Sequence, residues 1–235
     1  MNTRTINLIG EESFNKLQHS HVAVFGIGGV GSYSVEALAR SGIGELSIID
    51  NDIICESNIN RQLYALYSTI GKDKVDVCKN RVLDINPNII IHTYKVFVDE
   101  STINAIPFNT FDYVIDAIDT VKSKLLIIQT CKNNNIDIIS SMGTGNKLDP
   151  SKFVITDIKK THTCPLAKSI RKELDSNYNL KVLFSTELPI KPKQVLSENN
   201  KTSPSSISFV PSVAGLMLSA EVVRDIIKDS MINSK

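Results

Sequence analysis

The sequence lacks closely spaced pairs of cysteines, which argues against folds that are stabilised by zinc or by disulfide bonds. Its four cysteines, Cys55, Cys78, Cys131 and Cys164, are scattered over 235 residues and form no CxxC pair. Structural zinc sites and disulfide scaffolds need cysteines at short or regular spacings, so neither is expected here. We interpret all four as buried thiols, the common environment of an unpaired cysteine.

The sequence also lacks a signal-peptide pattern, a long apolar run and an excess of charge of one sign. The N-terminal MNTRTINLIGEE has no apolar core, and the longest apolar helix candidate, SVAGLMLSAEVVRDII, carries charges and is too short to span a bilayer. The net charge of +1 gives no indication of a nucleic-acid or membrane protein. With 42% hydrophobic and 22% charged residues, we expect one globular domain with a full core, located in the cytoplasm.

Apolar and amphipathic stretches alternate up to Pro150. HVAVFG and ELSIID, at 21–26 and 45–50, are typical of buried parallel strands, and SYSVEALARSG between them is typical of a helix that ends at Gly42. Two further helices and three further strands are predicted in KDKVDVCKNRVLDIN, IIIHTYKVF, YVIDAID, VKSKLLIIQTCKNNN and IDIISSMG. This alternation predicts an α/β fold, Rossmann-like, with a doubly wound and mostly parallel sheet.

The alternation weakens after Pro150, where we expect a C-terminal elaboration of the same domain. FVITDIKK predicts a strand, THTCPLAKSIRKEL a loop that enters a helix, and SFVPSVAGLMLSAEVVRDII a strand followed by an apolar-faced closing helix. Residues 187–206 are rich in Pro, Ser, Lys and Asn and predict a long surface loop. Residues 157–201 hold nine Lys or Arg against five Asp or Glu, which fits either a solvated face or contact with a polyanion.

The stretch GIGGVG at residues 26–31 has the shape of a nucleotide-binding turn. Gly26, Gly28 and Gly31 fit GxGxxG directly after a predicted strand and at the start of a predicted helix. In that context the first glycine permits the tight turn, the second lets backbone approach a phosphate, and the third lets the helix lie close to the sheet. Asp50 ends the next strand, where a carboxylate can accept hydrogen bonds from ribose hydroxyls. Taken alone, this pattern favours NAD or FAD, and with it an NAD-binding oxidoreductase or a dinucleotide-sensing module.

Charged side chains beyond the glycine turn favour a triphosphate. Asn58 and Arg61 in SNINRQ and Lys74 in GKDKVD follow the ribose carboxylate, where cations can neutralise phosphates, although Lys74 alone is equally compatible with a solvated lysine. Asp116 and Asp119 in VIDAIDT end a predicted strand, where a carboxylate can hold Mg²⁺ against phosphate oxygens or cap the next helix. None of the four histidines is an obvious acid for hydride transfer. Together these residues predict a site for ATP and Mg²⁺.

Six short motifs occur in an order and spacing that resemble a known superfamily. They are GIGGVGS, IIDND, SNINRQ, GKDK, INP and DAID. This set resembles the ThiF/MoeB/HesA superfamily of ATP-dependent carboxylate-adenylating proteins. EALARSGIGELSIID, MGTGNKLDP, CPLAKSIRKEL and SISFVPSVAGLMLSAEVVRD are also similar to the subfamily that dehydrates threonylcarbamoyladenosine in tRNA, so the resemblance covers the chain from Arg4 to about Ile227.

The resemblance implies roles for individual residues. It places Gly28 and Gly29 against the nucleotide, in a turn completed by Gly26 and Gly31. The resemblance further implies that Asp50 binds the ribose and that Asn58, Arg61 and Lys74 bind the phosphates. It also implies that Asp119 holds Mg²⁺ or acts in catalysis, and that Arg4 reaches the ATP site of a partner subunit. A homodimer with Arg4, Arg61, Lys74 and Asp119 as its catalytic set is therefore implied. Without the resemblance, Arg4 would be interpreted as an exposed terminal side chain.

The reaction that the resemblance implies is ATP-dependent dehydration of threonylcarbamoyladenosine at position 37 of tRNA, through an acyl-adenylate. Residues 1–150 would bind ATP, and residues 151–235 would face the tRNA. Because tRNA is a polyanion, we predict that it docks on basic side chains of the second part, namely Lys159, Lys160, Lys168, Arg171, Lys172, Lys181, Lys191 and Lys193. A sulfur-transfer protein is a further candidate partner.

Departures from the superfamily pattern bear on the alternatives. Members that activate ubiquitin-like partners usually carry CxxC zinc pairs, whose absence argues against a sulfur-carrier adenylyltransferase. Cys164 stands where other members of the dehydratase subfamily can have an aspartate, which argues against a required thiol nucleophile. Such a nucleophile is not needed chemically, because a carbamoyl group tethered to the activated carbonyl reacts at very high effective concentration.

Overall fold

The computed structural model describes residues 2–175, 178–192, 197–198, 201–202 and 204–232. The strands are β1 (His21–Phe25), β2 (Glu45–Ile49), β3 (Ile90–Tyr94), β4 (Tyr113–Asp116), β5 (Asp137–Ser141), β6 (Phe153–Asp157), β7 (Lys181–Ser185), β8 (Ser197–Glu198) and β9 (Lys201–Thr202). The α-helices are α1 (Thr3–Gln18), α2 (Gly31–Ser41), α3 (Lys74–Ile85), α4 (Val121–Asn134), α5 (Pro165–Glu173) and α6 (Phe209–Ile232).

Strands β1 to β7 form one sheet in the order β3-β2-β1-β4-β5-β7-β6. All neighbouring pairs are parallel except β6 and β7, which are antiparallel. Every residue of β1 (HVAVF) is buried, as expected for a mainly apolar strand that is covered on both faces of a parallel sheet. The predicted α/β fold with a doubly wound, mostly parallel sheet is confirmed.

The core is divided between the two faces of the sheet. Val22 and Val24 of β1 pack on one face with residues of α1, α2, α3 and α6. Ala23 and Phe25 pack on the other face with residues of α4 and α5. This division follows from the two-residue period of a strand, and it leaves the strand ends free to carry the site.

Helix α6 crosses α2 at a contact that has no space for a side chain. A Cβ added to Gly215 would lie 2.2 Å from the carbonyl oxygen of Val30. The hydroxyl of Ser34 donates to the carbonyl oxygen of Gly215 at 3.0 Å. The hydroxyl of Ser219 donates to the carbonyl oxygen of Ser34 at 2.9 Å. This close crossing places Pro211, in the first turn of α6, beside the glycine turn.

Three elements differ from the sequence-based expectation. Neither α1 nor β7 was predicted. Helix α1 is largely polar and is kinked at Gly10, where φ is +81°. Strand β7 is the largely apolar segment KVLFS, and its position between β5 and β6 depends on long-range pairing that leaves no local signal. The strand predicted in SFVP is wrong, because α6 already begins at Phe209, and its Pro211 lies in the first helical turn, where proline is tolerated.

Two smaller expectations are also resolved. Cys78, Cys131 and Cys164 are buried as predicted, but the prediction is wrong for Cys55, which is exposed in the loop after β2. The described parts of residues 187–206 include the short antiparallel pair β8–β9 rather than loop alone. Among the described residues, no helix has both the length and the apolar character needed to cross a membrane.

Candidate functional site

A cavity of about 750 Å³ opens at the carboxyl ends of the parallel strands. Strands β1 and β4 are neighbours there, and the chain continues from them in opposite directions across the sheet, to β2 and to β5. Doubly wound sheets bind their ligands at such a switch point. The cavity wall includes the glycine turn after β1, the ends of β2, β4 and β5, and the start of α5.

Two positions of the glycine turn exclude any side chain. Gly26 has φ +86°, and a Cβ there would lie 2.8 Å from the carbonyl oxygen of Ala117. A Cβ on Gly31 would lie 1.8 Å from the carbonyl oxygen of Gly26, so the start of α2 packs directly on the turn. Gly26, Gly28 and Gly29 line the cavity, whereas Gly31 lies behind the turn. Gly31 therefore contributes through helix packing, and the other three present backbone to a ligand.

Asp50 attaches the glycine turn to the end of β2. Its carboxylate accepts hydrogen bonds from the N–H of Ile27 at 2.6 Å and from the N–H of Asp52 at 2.8 Å. Burial raises the pKa of Asp50, and the charge of Lys74 and the two backbone donors act in the opposite direction. Asp50 also lines the cavity, so the predicted ribose carboxylate additionally supports the turn.

Lys74 begins α3 and presents its ammonium group to two carboxylates. The residue is 5% exposed, and its Nζ lies 2.7 Å from Asp52 and 4.0 Å from Asp50. The alternative of a solvated lysine is therefore wrong. Lys74 lines the cavity together with both of these carboxylates, and its role at the phosphates stays a prediction.

The SNINRQ loop brings Asn58 and Arg61 to the cavity wall. Arg61 Nη1 donates to the carbonyl oxygen of Ser57 at 2.9 Å and to Asn60 Oδ1 at 2.8 Å. The Asn60 side chain donates to the carbonyl oxygen of Ser206 at 3.1 Å, which ties this loop to the segment before α6. Arg61 has no carboxylate partner within the described part of the chain, so its charge is available to an anionic ligand.

The two aspartates after β4 have different environments. Asp119 is exposed, lines the cavity and forms no ion pair among the described residues. Asp116 is fully buried and accepts from Lys124 Nζ at 2.7 Å and from Ser140 Oγ at 2.6 Å. The interpretation of Asp116 as a carboxylate for Mg²⁺ is therefore wrong, and Thr120, rather than either aspartate, occupies the cap position of α4.

The buried ion pair beneath the cavity was missed by sequence reasoning. Lys124 on α4 donates to Asp116, to Ser140 Oγ at 3.0 Å and to the carbonyl oxygen of Ser141 at 2.9 Å. These bonds use all three donors of the ammonium group. The available signal is helical spacing, which puts Lys124 on the apolar face of α4 with Ile127. The network joins β4, α4 and β5 under the cavity floor.

The far wall of the cavity is formed by MGTGN after β5, and sequence reasoning assigned it no site residue. Asn146 has φ +59° and makes three hydrogen bonds there. Its N–H donates to the carbonyl oxygen of Ser205 at 2.7 Å, its Oδ1 accepts from the N–H of Ser205 at 2.8 Å, and its carbonyl oxygen accepts from the N–H of Ile190 at 2.8 Å. These bonds hold residues 187–192 and 204–206 against the cavity.

Lys147 and Cys164 are two buried groups of the same wall. Lys147 is 5% exposed and donates to the carbonyl oxygen of Glu187 at 2.6 Å. Burial lowers the pKa of Lys147, while Cys164 and Glu187 act in the opposite direction. Cys164 is 5% exposed and lies at the N-cap of α5. The position of Lys147 after a parallel strand was the signal that could have identified it.

Arg4 lies away from the cavity of its own chain. It is exposed in the first turns of α1 and does not line the cavity wall. The structure therefore does not bring it together with Arg61, Lys74 and Asp119 within one subunit. Its role in the ATP site of a partner subunit stays a prediction.

The basic residues predicted to dock tRNA lie on different sides of the molecule. Lys168 and Lys172 are exposed on α5, whose first residues line the cavity. Lys159 and Lys160 are also exposed, but they follow β6, whose last residue pairs with Lys181 at the start of β7. Lys159 and Lys160 therefore lie near the amino-terminal ends of the parallel strands, opposite the cavity.

Other members of the predicted docking set are engaged or lie elsewhere. Lys181 is paired with Glu221 at 2.9 Å and Asp225 at 2.6 Å. Arg171 donates to the backbone and side chain of Thr161. Lys191 is exposed, and Lys193 lies outside the described residues.

The fold and the site together define a class of protein: a doubly wound α/β protein whose sheet-end cavity combines a glycine turn with cationic side chains. The motifs that line this cavity follow one another along the sequence in an order that matches one family in particular. The chain belongs to the ThiF family, whose model matches residues 2–235.

Similar proteins agree with this assignment. The chain is 44% identical over 234 residues to tRNA threonylcarbamoyladenosine dehydratase of Bacillus subtilis (strain 168), which covers 94% of this chain and 92% of that protein. The structure of E. coli tRNA N6-threonylcarbamoyladenosine dehydratase, TcdA, in complex with AMP has a TM-score of 0.89 at 32% identity, covering 97% of this chain and 94% of that one. The same enzyme in complex with ATP has a TM-score of 0.88 at 31% identity, with the same coverage. The superfamily resemblance is confirmed.

Proposed function

We propose that this chain catalyses the ATP-dependent dehydration of threonylcarbamoyladenosine at position 37 of tRNA. The observation that carries the proposal is 44% identity, along 94% of this chain, to a tRNA threonylcarbamoyladenosine dehydratase. The cavity supports it, because Arg61 and Lys74 supply positive charge beside a turn of glycine backbone. Residues 1–150 supply the turn and these cations, and residues 151–235 supply the start of α5 and the segment before α6. The proposal includes a cytoplasmic location, where ATP and tRNA are both present.

The first proposed step activates a carboxylate. The carboxylate of the threonyl group attacks the α-phosphorus of ATP, the bond from that phosphorus to the bridging oxygen breaks, and pyrophosphate leaves. The product is an acyl-adenylate whose AMP group is a good leaving group. Arg61, Lys74 and the backbone amides of the glycine turn act by neutralising and positioning phosphate charge, which is the main protein contribution in phosphoryl chemistry.

The second proposed step closes a ring within the modified nucleoside. The carbamoyl group attacks the activated carbonyl carbon, the carbon–oxygen bond to AMP breaks, and the attacking group loses a proton. The nucleoside has then lost one water, while ATP has become AMP and pyrophosphate. Because nucleophile and electrophile are tethered, the step needs no protein thiol, and Cys164 acts only as part of the cavity wall.

Asp119 is the residue that fits a magnesium ion. Among the carboxylates that line the described cavity, Asp50 and Asp52 face Lys74, whereas Asp119 has no cationic partner. Mg²⁺ prefers oxygen ligands, retains several waters and is commonly held by one or two carboxylates together with substrate phosphates. When bound, it would supply further neutralisation of phosphate charge.

The proposal includes a homodimer in which Arg4 reaches the ATP site of the other subunit. Arg4 is exposed, and Leu8 of the same helix is 82% exposed, which fits a surface that a second subunit covers. An apolar side chain of this size gains roughly 2 kcal/mol on burial, so an exposed one favours association. The proposed tRNA surface is the exposed face of α5, with Lys168 and Lys172.

Mass spectrometry of tRNA nucleosides tests the reaction. Purified protein is incubated with tRNA that carries threonylcarbamoyladenosine, with and without ATP, and the nucleosides are released enzymatically. We expect a product lighter by one water that forms only with ATP. An unchanged nucleoside mass, with ATP binding verified on the same sample, would contradict the dehydratase assignment while leaving adenylation of another carboxylate open.

Ligand specificity separates the two alternative functions. A sulfur-carrier adenylyltransferase would show ATP–pyrophosphate exchange that rises when a ubiquitin-like protein with a diglycine tail is added. An NAD-binding oxidoreductase or dinucleotide-sensing module would bind NAD saturably and would not bind ATP. The charges of Arg61 and Lys74 at the cavity favour ATP over a dinucleotide.

A further inference from the structure

Three strands place two histidines and a glutamate side by side at the sheet edge opposite the nucleotide cavity. His21 and Glu45 begin β1 and β2 and are paired in register. His92 of β3 is paired with Ser47, two residues beyond Glu45. Because side chains alternate along a strand, Glu45 and Ser47 point to the same face, and their partners His21 and His92 flank them there. The cluster is therefore positioned by backbone pairing.

The donor atoms of the cluster are spaced like ligands around one metal ion. His21 Nδ1 lies 3.4 Å from Glu45 Oε1, and His92 Nε2 lies 2.8 Å from the same oxygen. One donor atom from each residue lies within 4.8 Å of the others. In a tetrahedral zinc site, bonds of about 2.0–2.1 Å put neighbouring ligand atoms about 3.4 Å apart. The His92–Glu45 contact has to widen for a metal ion to enter, and the His92 side chain is 43% exposed and has room to turn.

His21 is oriented as a metal ligand by its own partners. It is 6% exposed, its Nε2 lies 2.9 Å from Ser47 Oγ, and its ring packs edge-on against Phe111. When Nε2 donates to the hydroxyl, the Nδ1 lone pair faces the Glu45 carboxylate and is available to a metal ion between them.

We propose that His21, Glu45 and His92 form a binding site for a divalent transition metal ion of the zinc type, with water in the fourth position. Two imidazoles and a carboxylate suit Zn²⁺, whereas Mg²⁺ and Ca²⁺ prefer oxygen ligands throughout. The ion links three neighbouring strands at their amino-terminal edge and stabilises the sheet there. The site lies apart from the nucleotide cavity and does not depend on the proposed function.

Titration of the purified full chain with ZnCl₂ at pH 7 tests the site. We expect saturable binding of one Zn²⁺ per chain by calorimetry, with a rise in the thermal unfolding midpoint, because a metal that binds only the folded state stabilises it. His92→Ala and Glu45→Gln should each weaken the affinity at least about tenfold. His19→Ala is the matched control, since His19 is exposed and outside the cluster, and Cys55→Ser removes an exposed thiol that could compete for zinc.

The outcomes separate the cluster from other zinc ligands. The proposal stands when His19→Ala and Cys55→Ser keep the wild-type affinity and both cluster variants lose it. It is overturned when His92→Ala binds as tightly as the wild type, when Cys55→Ser abolishes binding, or when the folded chain binds no zinc. His92 and Glu45 are partly exposed, so their variants are expected to fold, which circular dichroism checks. ATP binding should be unchanged in every variant, so this result and that of the dehydratase test are independent.

Discussion

At the residue scale, charged groups near the cavity differ in whether the protein itself neutralises them. Lys124 and Asp116 are fully buried and bonded to each other, so their charges are used within the fold. Arg61 and Asp119 line the cavity and have no opposite charge among the described residues. A buried pair is costly to break, whereas an unpartnered cavity charge is available to a ligand. Substitutions in the two groups should therefore affect different properties.

Replacing Arg61 should reduce the reaction rate and leave the fold intact. For Arg61→Ala we expect kcat/KM for ATP-dependent dehydration to fall about 10²–10³-fold, because a cation that stabilises developing phosphate charge is lost. Steady-state kinetics and circular dichroism measure the two effects. Arg40→Ala is the matched control, since Arg40 is exposed on α2 and paired with Glu36 at 2.6 Å. Equal losses in the two variants would contradict the role of Arg61.

Replacing Lys124 should reduce stability. In Lys124→Met, Asp116 remains buried without its cation, and we expect a loss of about 3–5 kcal/mol in the free energy of unfolding, measured by urea denaturation at pH 7. The double variant with Asp116→Asn should recover part of that loss, because the uncompensated charge is removed as well. A single variant within about 1 kcal/mol of the wild type would show that the buried pair is not an important contributor.

At the element scale, α5 connects the cavity with an exposed basic surface. Its first residues, Pro165 and Leu166, line the cavity, and Ala167 and Ile170 bury the opposite side of the helix. Lys168 and Lys172 are spaced by one helical turn and share the exposed face. A tRNA that inserts a modified nucleoside into the cavity would therefore meet this face, whereas Lys159 and Lys160 lie at the opposite edge of the sheet.

Neutralising the two lysines of α5 should weaken tRNA binding. For Lys168→Gln with Lys172→Gln we expect lower affinity and a salt dependence reduced by about 0.9 in slope for each lost phosphate contact. Binding measured over a series of salt concentrations gives both quantities. The matched control is Lys159→Gln with Lys160→Gln, which makes the same charge change at the other edge. If the control pair reduced binding as much as the α5 pair, the docking surface would have to be reassigned.

At the scale of the whole molecule, one subunit alone does not bring together the four residues of the proposed catalytic set. Arg61, Lys74 and Asp119 lie together at the cavity, but Arg4 is exposed on α1 outside it. In a two-fold dimer, Arg4 of each subunit can extend into the ATP site of the other subunit, so that each site contains side chains of both chains. The proposed homodimer thus makes a prediction about mixtures of inactive variants.

Co-expression of Arg4→Ala and Arg61→Ala chains tests whether Arg4 acts across the interface. Each variant alone should have little activity. A mixed dimer has one complete site out of two, so purified mixed dimers should have about half of the wild-type activity. Dehydration assays on tagged, co-purified mixed dimers measure this recovery. No recovery in verified mixed dimers would show that Arg4 acts within its own chain, whereas wild-type activity of Arg4→Ala alone would show that Arg4 has no catalytic role.

Local sequence was sufficient for the elements and residues that depend on neighbouring positions. Apolar runs predicted β1, β2, β4 and β5, and GxGxxG placed three glycines at a turn whose backbone excludes side chains at Gly26 and Gly31. Asp50, Arg61 and Lys74 follow these elements at short spacings, so their arrival at the cavity could be predicted from the fold class. Period and turn chemistry act within a few residues, which is why the sequence alone determined this part.

Only the tertiary structure decided the features that need distant segments to meet. Strand β7 inserts between β5 and β6, Asp116 is neutralised by Lys124, and Asn146 binds Ser205 to close the far wall. The pairing of three parallel strands likewise brings His21 and His92 to Glu45. Parallel neighbours are joined by long crossovers, so their register and the side chains that they bring together leave no local pattern in the sequence.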